Sequence, residues 1–173
     1  MKAGPYCGYS LEEIEKIKNN EDKLYGKFYW GYGGVFCHPK RVLPFVEESM
    51  KSGQKIYVYF SITNSKFNSP IPLCHFKSTN KENWQPLEPE VVLVGNQYSL
   101  VCTNLQKTDF KINSNEYISM LGDKPGKNLN EYIRYRVDKS CAIYNPTITN
   151  VKPKNITISY VSELVEPYCI YVK

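Results

Sequence analysis

The chain has 173 residues, of which 42% are hydrophobic and 23% are charged. These values indicate one globular domain over residues 1–173 and exclude a disordered, collagen-like or coiled-coil protein. Its 22 Lys and Arg residues exceed its 17 Asp and Glu residues and give a net charge of +5, which is opposite in sign to the charge of a protein that imitates DNA. That charge favours anionic partners, with nucleic acid as one alternative.

No apolar run reaches the roughly 20 residues that cross a bilayer, and residues 1–8 lack the apolar stretch of a signal peptide. The sequence therefore predicts a cytosolic protein with no membrane association. The six cysteines contain no C-x-x-C pair, so we predict reduced thiols and no metal or other cofactor. They are Cys7, Cys37, Cys74, Cys102, Cys141 and Cys169.

The first third of the chain predicts two helices. Ser10 and Glu13 form a capping-box pattern, and apolar residues at helical spacing predict a surface helix over residues 11–18 with a charged outer face. The aromatic and glycine-rich residues 29–34 combine four or five strand residues with a turn. Pro39 suits the first turn of a second helix, which Gly53 is placed to end.

The middle third predicts strands. Residues 55–63 alternate, with Ile56, Val58, Phe60 and Ile62 on one face, which is typical of a half-buried strand. After a loop at residues 64–72, we expect strands over residues 73–78, 91–94 and 98–103. Gly95 and Asn96 predict a hairpin turn between the last two.

The last third predicts a turn at residues 122–127 and the longest helix at residues 129–143, where apolar residues form one stripe. Two further strands are expected over residues 156–162 and 168–172. Because short turns separate most strands, the sequence predicts an α+β fold with a mixed or mainly antiparallel sheet and two to three helices.

Residues 31–41 carry the main candidate for a ligand site. Glycines let a backbone approach a ligand, and a helix that begins near Pro39 would present unpaired N–H groups to an anion. We therefore expect phosphate to bind at the amides of Gly33 and Gly34 and at Lys40 and Arg41. The spacing matches no nucleotide-binding fingerprint, and a structural turn before a helix is the alternative.

Aromatic residues beside this block suggest the rest of the ligand. The chain contains 15 tyrosines, and Trp30 or Tyr32 could stack on a nucleobase. The alternative is a purely structural role, in which the tyrosines cover half-buried strand faces.

Two further groups of residues extend the hypothesis. His38 and His75 each follow a cysteine and could serve as a general base in an enzyme, although separate structural roles are the alternative. Arg134 and Arg136 of the predicted long helix could clamp a phosphate, whereas ion pairs along a solvated helix face are the bland interpretation. No catalytic set is complete, so no catalytic residue is assigned.

Residues 29–39 and 132–142 resemble segments in short uncharacterised proteins of bacterial viruses and prophages. The resemblance implies a counter-defence role, and a basic, tyrosine-rich domain would suit capture of a nucleotide immune signal. No functional residue can be transferred from it. Sequence therefore predicts a binding protein for a small phosphate-bearing ligand, with a nucleotide-directed phosphodiesterase or transferase, or an inhibitor that binds nucleic acid or a protein complex, as alternatives.

Overall fold

The computed structural model describes residues 1–35, 37–64, 71–121, 125–133, 139–146 and 152–173. Three α-helices occur in this part of the chain, and they accompany a seven-stranded mixed sheet and a small antiparallel hairpin. The α+β prediction is therefore confirmed. The helices are α1 (Leu11–Tyr25), α2 (Pro39–Lys51) and α3 (Leu129–Ile133).

The strands differ greatly in length, from two residues to 18. Seven belong to the large sheet, namely β1 (Lys2–Ala3), β2 (Phe28–Tyr32), β3 (Tyr57–Ile62), β4 (Phe76–Ser78), β5 (Gln85–Pro86), β6 (Tyr98–Asn113) and β9 (Asn155–Val172). The hairpin consists of β7 (Tyr117–Ser119) and β8 (Ala142–Tyr144).

The large sheet is built around the antiparallel pair β6 and β9. On its other side, β9 pairs first with β3 and then, near its end, with β4. β2 pairs with the outer side of β6, and β1 runs parallel to β3. β1 and β2 therefore lie at opposite edges of the sheet.

Both faces of the sheet are covered. Neighbouring strand residues point to opposite faces, and Phe28 belongs to one core cluster whereas Tyr29 belongs to another. Val42 and Val46 of α2 pack into the Phe28 cluster, together with Phe60 of β3. The second helix begins where the sequence predicts, because Pro39 occupies its first turn.

The first helix is longer than predicted. Its capping box is present, since the Ser10 hydroxyl accepts a hydrogen bond from the Glu13 amide at 3.2 Å and the Glu13 carboxylate accepts one from the Ser10 amide at 2.7 Å. The helix continues to Tyr25 and ends at Gly26, which has the left-handed φ of a helix C-cap. The charged outer face is present at Glu12, Glu13 and Lys16, whereas Lys18 and Glu21 are buried.

Several strand predictions were wrong in extent. Residues 91–94 form no strand, only a single bridge from Val94 to Leu73, so the predicted hairpin at Gly95 and Asn96 is absent among the described residues. The two expected strands at the end of the chain are one strand, β9. Its register against β6 shifts at three places, and such shifts interrupt the alternation by which a strand is identified in sequence.

The predicted long helix over residues 129–143 is confirmed only at its start and does not extend to residue 143. The described helix there is α3, and Ala142–Tyr144 forms β8, which pairs with β7. An apolar stripe can fit either a helix or a buried strand, and here the pairing of Ile143 with Ile118 favours the strand. Arg134 and Arg136 lie outside the described residues, as do residues 65–70 of the expected loop and 122–124 of the expected turn.

None of the described helices has the length and apolar character needed to span a bilayer.

Candidate functional site

A cavity of about 770 Å³ lies between the N-terminal residues, α1, β2 and residues 92–96. Its volume falls within the roughly 300–1,000 Å³ that is typical of small-molecule sites. Ala3 of β1 and Gly31 of β2 both line it, although their strands form opposite edges of the sheet. The sheet therefore curls so that its two edges approach each other at the cavity.

The cavity wall is aromatic and positively charged. It contains no Asp or Glu among the residues that the structure describes. An anion bearing an aromatic group complements such a wall, since ammonium groups attract the charge and aromatic side chains contact the ring. The aromatic residues are Tyr6, Tyr9, Trp30 and Tyr32, and the charged ones are Lys2, Lys18 and Lys139.

A tight turn holds two of the tyrosines at the cavity. The backbone amides of Tyr6 and Tyr9 each donate to the other residue's carbonyl oxygen at 3.0 Å. Between them, Cys7 and Gly8 have φ values of 48° and 87°, and positive φ at both central residues is typical of two-residue hairpin turns. Both tyrosines remain partly exposed.

Lys18, which lines the cavity beside β2, belongs to a buried ion pair that compensates its charge. Lys18 Nζ lies 2.7 Å from Glu21 Oε1 and donates to the Val92 carbonyl oxygen at 2.9 Å. The Glu21 carboxylate also accepts hydrogen bonds from the amides of Tyr29 and Val92, at 3.0 and 3.1 Å. Burial lowers the pKa of Lys18 and raises the pKa of Glu21, and each partner opposes the shift in the other.

Only glycine fits at position 31, because the Asn96 side chain lies very close to the backbone there. A Cβ atom on Gly31 would lie 2.2 Å from Asn96 Nδ2, well inside van der Waals contact. The Asn96 amide is fixed in this place by donating to the Val94 carbonyl oxygen at 2.7 Å. Gly31 and Asn96 both line the cavity, so the missing side chain allows the loop at residues 92–96 to pack directly on β2.

The backbone at Gly33 and Gly34 is open and lies next to Lys139. A Cβ on Gly33 would have no neighbour within 4 Å, and one on Gly34 would lie 3.8 Å from Lys139 Nζ. Gly34 has a φ of 89°, which strongly favours glycine. Within the described residues, neither amide donates a hydrogen bond. Two backbone amides therefore face solvent at the side of the cavity where Lys139 lies.

Trp30 and Tyr32, the candidates for stacking on a base, both line the cavity, but they differ in exposure. Trp30 is half-buried and its ring centroid lies 4.3 Å from that of Phe60. Tyr32 is only 5% exposed, and its hydroxyl contacts the Cys37 carbonyl oxygen at 2.8 Å and Cys169 Sγ at 2.9 Å. Burial raises the pKa of Tyr32 far above its ordinary value. Its ring is part of the wall, whereas Trp30 retains exposed surface.

His38, Lys40 and Arg41 do not line this cavity. His38 is the N-cap of α2, and its Nδ1 accepts a hydrogen bond from the Lys40 amide at 3.1 Å. The Arg41 and Val42 amides donate to the His38 carbonyl oxygen, and Pro39 has no N–H. The expectation of unpaired N–H groups at this helix start is therefore wrong.

The two histidines have separate surroundings. The His38 ring centroid lies 4.9 Å from that of Tyr98 and 5.7 Å from that of Tyr171. His75 is exposed, and its backbone amide donates to the Lys173 carbonyl oxygen at 2.8 Å. Neither histidine lines the cavity, so neither is placed there to act as a general base.

The sequence analysis missed several residues of the wall, namely Tyr6, Tyr9, Lys18 and Asn96. The Tyr-Cys-Gly-Tyr stretch carried a usable signal, because a glycine between two aromatic residues is typical of a tight turn. Lys139 was considered only as part of a helix surface. Its position beside Gly34 brings the chain near residue 139 into contact with the glycine-rich block.

No protein-family model, curated protein or solved structure matches the chain. The residues and geometry of the cavity are therefore the basis for a functional proposal.

Proposed function

We propose that the protein binds a small, phosphate-bearing, nucleotide-like ligand in the cavity between β1 and β2. The observation that supports this most is the combination of aromatic side chains and lysines without a carboxylate among the described lining residues. Lys139 and the amides of Gly33 and Gly34 are assigned to the phosphate. Trp30 and the tyrosines of the N-terminal turn are assigned to the base.

Each part of this arrangement suits its assigned group. Stacking of a base on an aromatic side chain contributes about 1–3 kcal/mol, and hydrogen bonds between charged partners are about twice as strong as neutral ones. The two glycines let phosphate oxygens approach the backbone without steric conflict. The ligand class thus follows from the chemistry of the wall.

A counter-defence role is a further step of the same proposal. It rests on the resemblance of residues 29–39 and 132–142 to short proteins of bacterial viruses and prophages. A protein of this kind would sequester a nucleotide immune signal without converting it. This role requires only that the ligand binds in the cavity and requires no catalysis.

The surface around His38 supports a second candidate function, binding of nucleic acid. Lys81, Lys40 and Arg41 all contribute to lowering the pKa of His38, after the effect of burial, so three cations lie close enough to act on this ring. Such a cluster can contact successive phosphates, and its binding would weaken steeply with salt. It lies outside the cavity lining, so the two functions can be tested separately.

The first experiment is calorimetry of the full chain against mononucleotides, cyclic dinucleotides and ADP-ribose derivatives at two salt concentrations. We expect one of these ligands to bind, and Lys139→Ala to weaken its binding about tenfold, which corresponds to about 1.4 kcal/mol. Gly33→Val should abolish binding while leaving the fold intact, because a Cβ atom at this position has no neighbour within 4 Å.

Lys40→Ala and Arg41→Ala are the matched controls, since they remove the same type of charge outside the cavity. If these variants weaken nucleotide binding and Lys139→Ala does not, the phosphate binds at the start of α2 and the cavity assignment is wrong. Failure of the wild type to bind any member of the panel would refute the proposal. Binding of long nucleic acids only, with strong salt dependence, would favour the second function.

A further inference from the structure

A second cavity of about 360 Å³ lies between α2, β3, β9 and residues 139–142. It shares Met1, Lys2 and Lys139 with the first cavity. The two cavities are thus neighbours, although their other lining residues differ strongly in character.

The body of the second cavity is apolar. Its wall is formed largely by aliphatic side chains of α2, β3 and β9, such as Val46, Val58 and Ile158, which are almost completely buried. Apolar cavities of this kind hold no ordered water and accept apolar molecules. A hydrocarbon chain is the group that such a wall can solvate.

Charged groups in this lining are of one sign. Among the described lining residues, the only charged side chains are Lys2, Lys139 and Lys154, and no Asp or Glu is present. Lys2 and Lys154 are exposed, so their ammonium groups lie on the solvent side of an apolar interior. An anion at this position would complement the exposed charges of Lys2 and Lys154.

We propose that the second cavity binds the aliphatic chain of a small amphipathic anion, whose head group lies among Lys2, Lys139 and Lys154. The chain occupies the apolar interior and the head group stays near solvent. A carboxylate and a phosphate monoester share the necessary chemistry, and an uncharged chain lacks it. This site goes beyond nucleotide binding and does not depend on it.

The test is calorimetry of the full chain with decanoate and with decyl phosphate, below the concentrations at which they form micelles. Decanol and acetate are the controls, because each lacks one of the two required parts. We expect at least one decyl anion to bind, and decanol and acetate to bind about tenfold more weakly or not at all. The comparison of decanoate with decyl phosphate identifies the preferred head group.

Two variants locate the binding. Ala142 lines only the second cavity, so Ala142→Trp should fill it and abolish binding of the decyl anions. Lys154 is exposed, so Lys154→Glu should fold normally and weaken binding about tenfold by reversing one charge. Lys154→Glu keeps the test decisive if Ala142→Trp does not fold.

Gly33→Val serves as the control for the first cavity, because Gly33 does not line the second. It should leave decanoate binding unchanged. Equal affinity for decanol and decanoate, unchanged affinity in Lys154→Glu, or no binding of either decyl anion would overturn the proposal. Because decyl anions and nucleotides are measured separately, failure of one proposal leaves the other to be judged by its own ligands.

Discussion

The Glu21 carboxylate accepts a backbone hydrogen bond from β2 that a neighbouring strand would otherwise accept. Tyr29 lies in β2, whose only strand partner among the described residues is β6, and an open edge strand leaves backbone amides unpaired. Glu21 accepts the Tyr29 amide and the Val92 amide, and Lys18 compensates its charge. Removal of one member of a buried ion pair typically costs about 3–5 kcal/mol. This pair therefore joins α1, β2 and the loop at residues 92–96.

His38 makes the stability of the protein depend on pH. Its Nδ1 must be deprotonated to accept the hydrogen bond from the Lys40 amide. Burial lowers the pKa of His38 below 6.5, and Lys81, Lys40 and Arg41 lower it further. The unfolded chain therefore binds the proton more readily than the folded one.

We accordingly expect His38 to contribute its full stabilisation above about pH 6.5 and to lose it as the pH falls through its folded-state pKa. Urea unfolding of the wild type and of His38→Asn at a series of pH values measures this effect. Asparagine is an N-cap residue that does not titrate, and loss of a cap costs about 0.5–2 kcal/mol. Stability curves that remain parallel at all pH values would show that His38 is not the titrating group.

At the scale of single elements, β3 provides a test of burial. Phe60 is 0% exposed and packs on Trp30, whereas Tyr57 on the same strand is 48% exposed. Phe60→Ala should lower the free energy of unfolding by about 3–5 kcal/mol. Tyr57→Ala, which also removes an aromatic ring, should cost less than about 1.5 kcal/mol. Similar shifts of the denaturant midpoint in both variants would contradict this difference.

Local signals in the sequence identified the elements that depend on local chemistry. The capping box at Ser10 and the alternation around Val58 and Phe60 were both confirmed. The same alternation placed Ile62 on the buried face, yet Ile62 is 52% exposed. It is the last residue of β3 and pairs with Ala3 of the edge strand β1. Burial at a strand end depends on neighbours that are remote in the sequence.

Elements that depend on remote partners could not be predicted in the same way. β8 is a strand because Tyr117–Ser119 is available to pair with it, and its own residues fit an apolar helix stripe equally well. The cavity shows the same division. Aromatic and glycine residues marked Trp30, Gly33 and Gly34 as candidates, but the contact of Gly31 with Asn96 exists only in the folded chain.

At the scale of the whole molecule, cysteines from separate segments of the chain lie close to Tyr32 of the curled sheet. The Tyr32 hydroxyl joins the Cys37 carbonyl oxygen to Cys169 of β9. The Cys37 side chain, together with burial, also raises the pKa of the Cys141 thiol. This cluster connects the end of the glycine-rich block to the middle of the sheet and to the chain beside Lys139. All six cysteines lie in the described part of the chain, and none forms a disulfide.

Thiol reactivity should therefore report on global unfolding. Cys102 and Cys169 are 0% exposed, and burial raises the pKa of each to about 12, so the reactive thiolate is scarce in the folded protein. Cys7 is partly exposed. With a disulfide reagent under native conditions, we expect Cys7 to react rapidly, and Cys102 and Cys169 to react only when the whole domain unfolds.

Stopped-flow labelling at increasing urea concentrations, with mass spectrometry to identify the modified residue, provides the measurement. The dependence of the Cys102 and Cys169 rates on urea should have the slope of equilibrium unfolding, because both reactions expose the same core. Cys7→Ser is the control and should remove only the fast phase. Six thiols should be counted in denaturant without prior reduction. A smaller count, or rapid labelling of Cys102 in the absence of urea, would show that this core is not closed as the structure describes it.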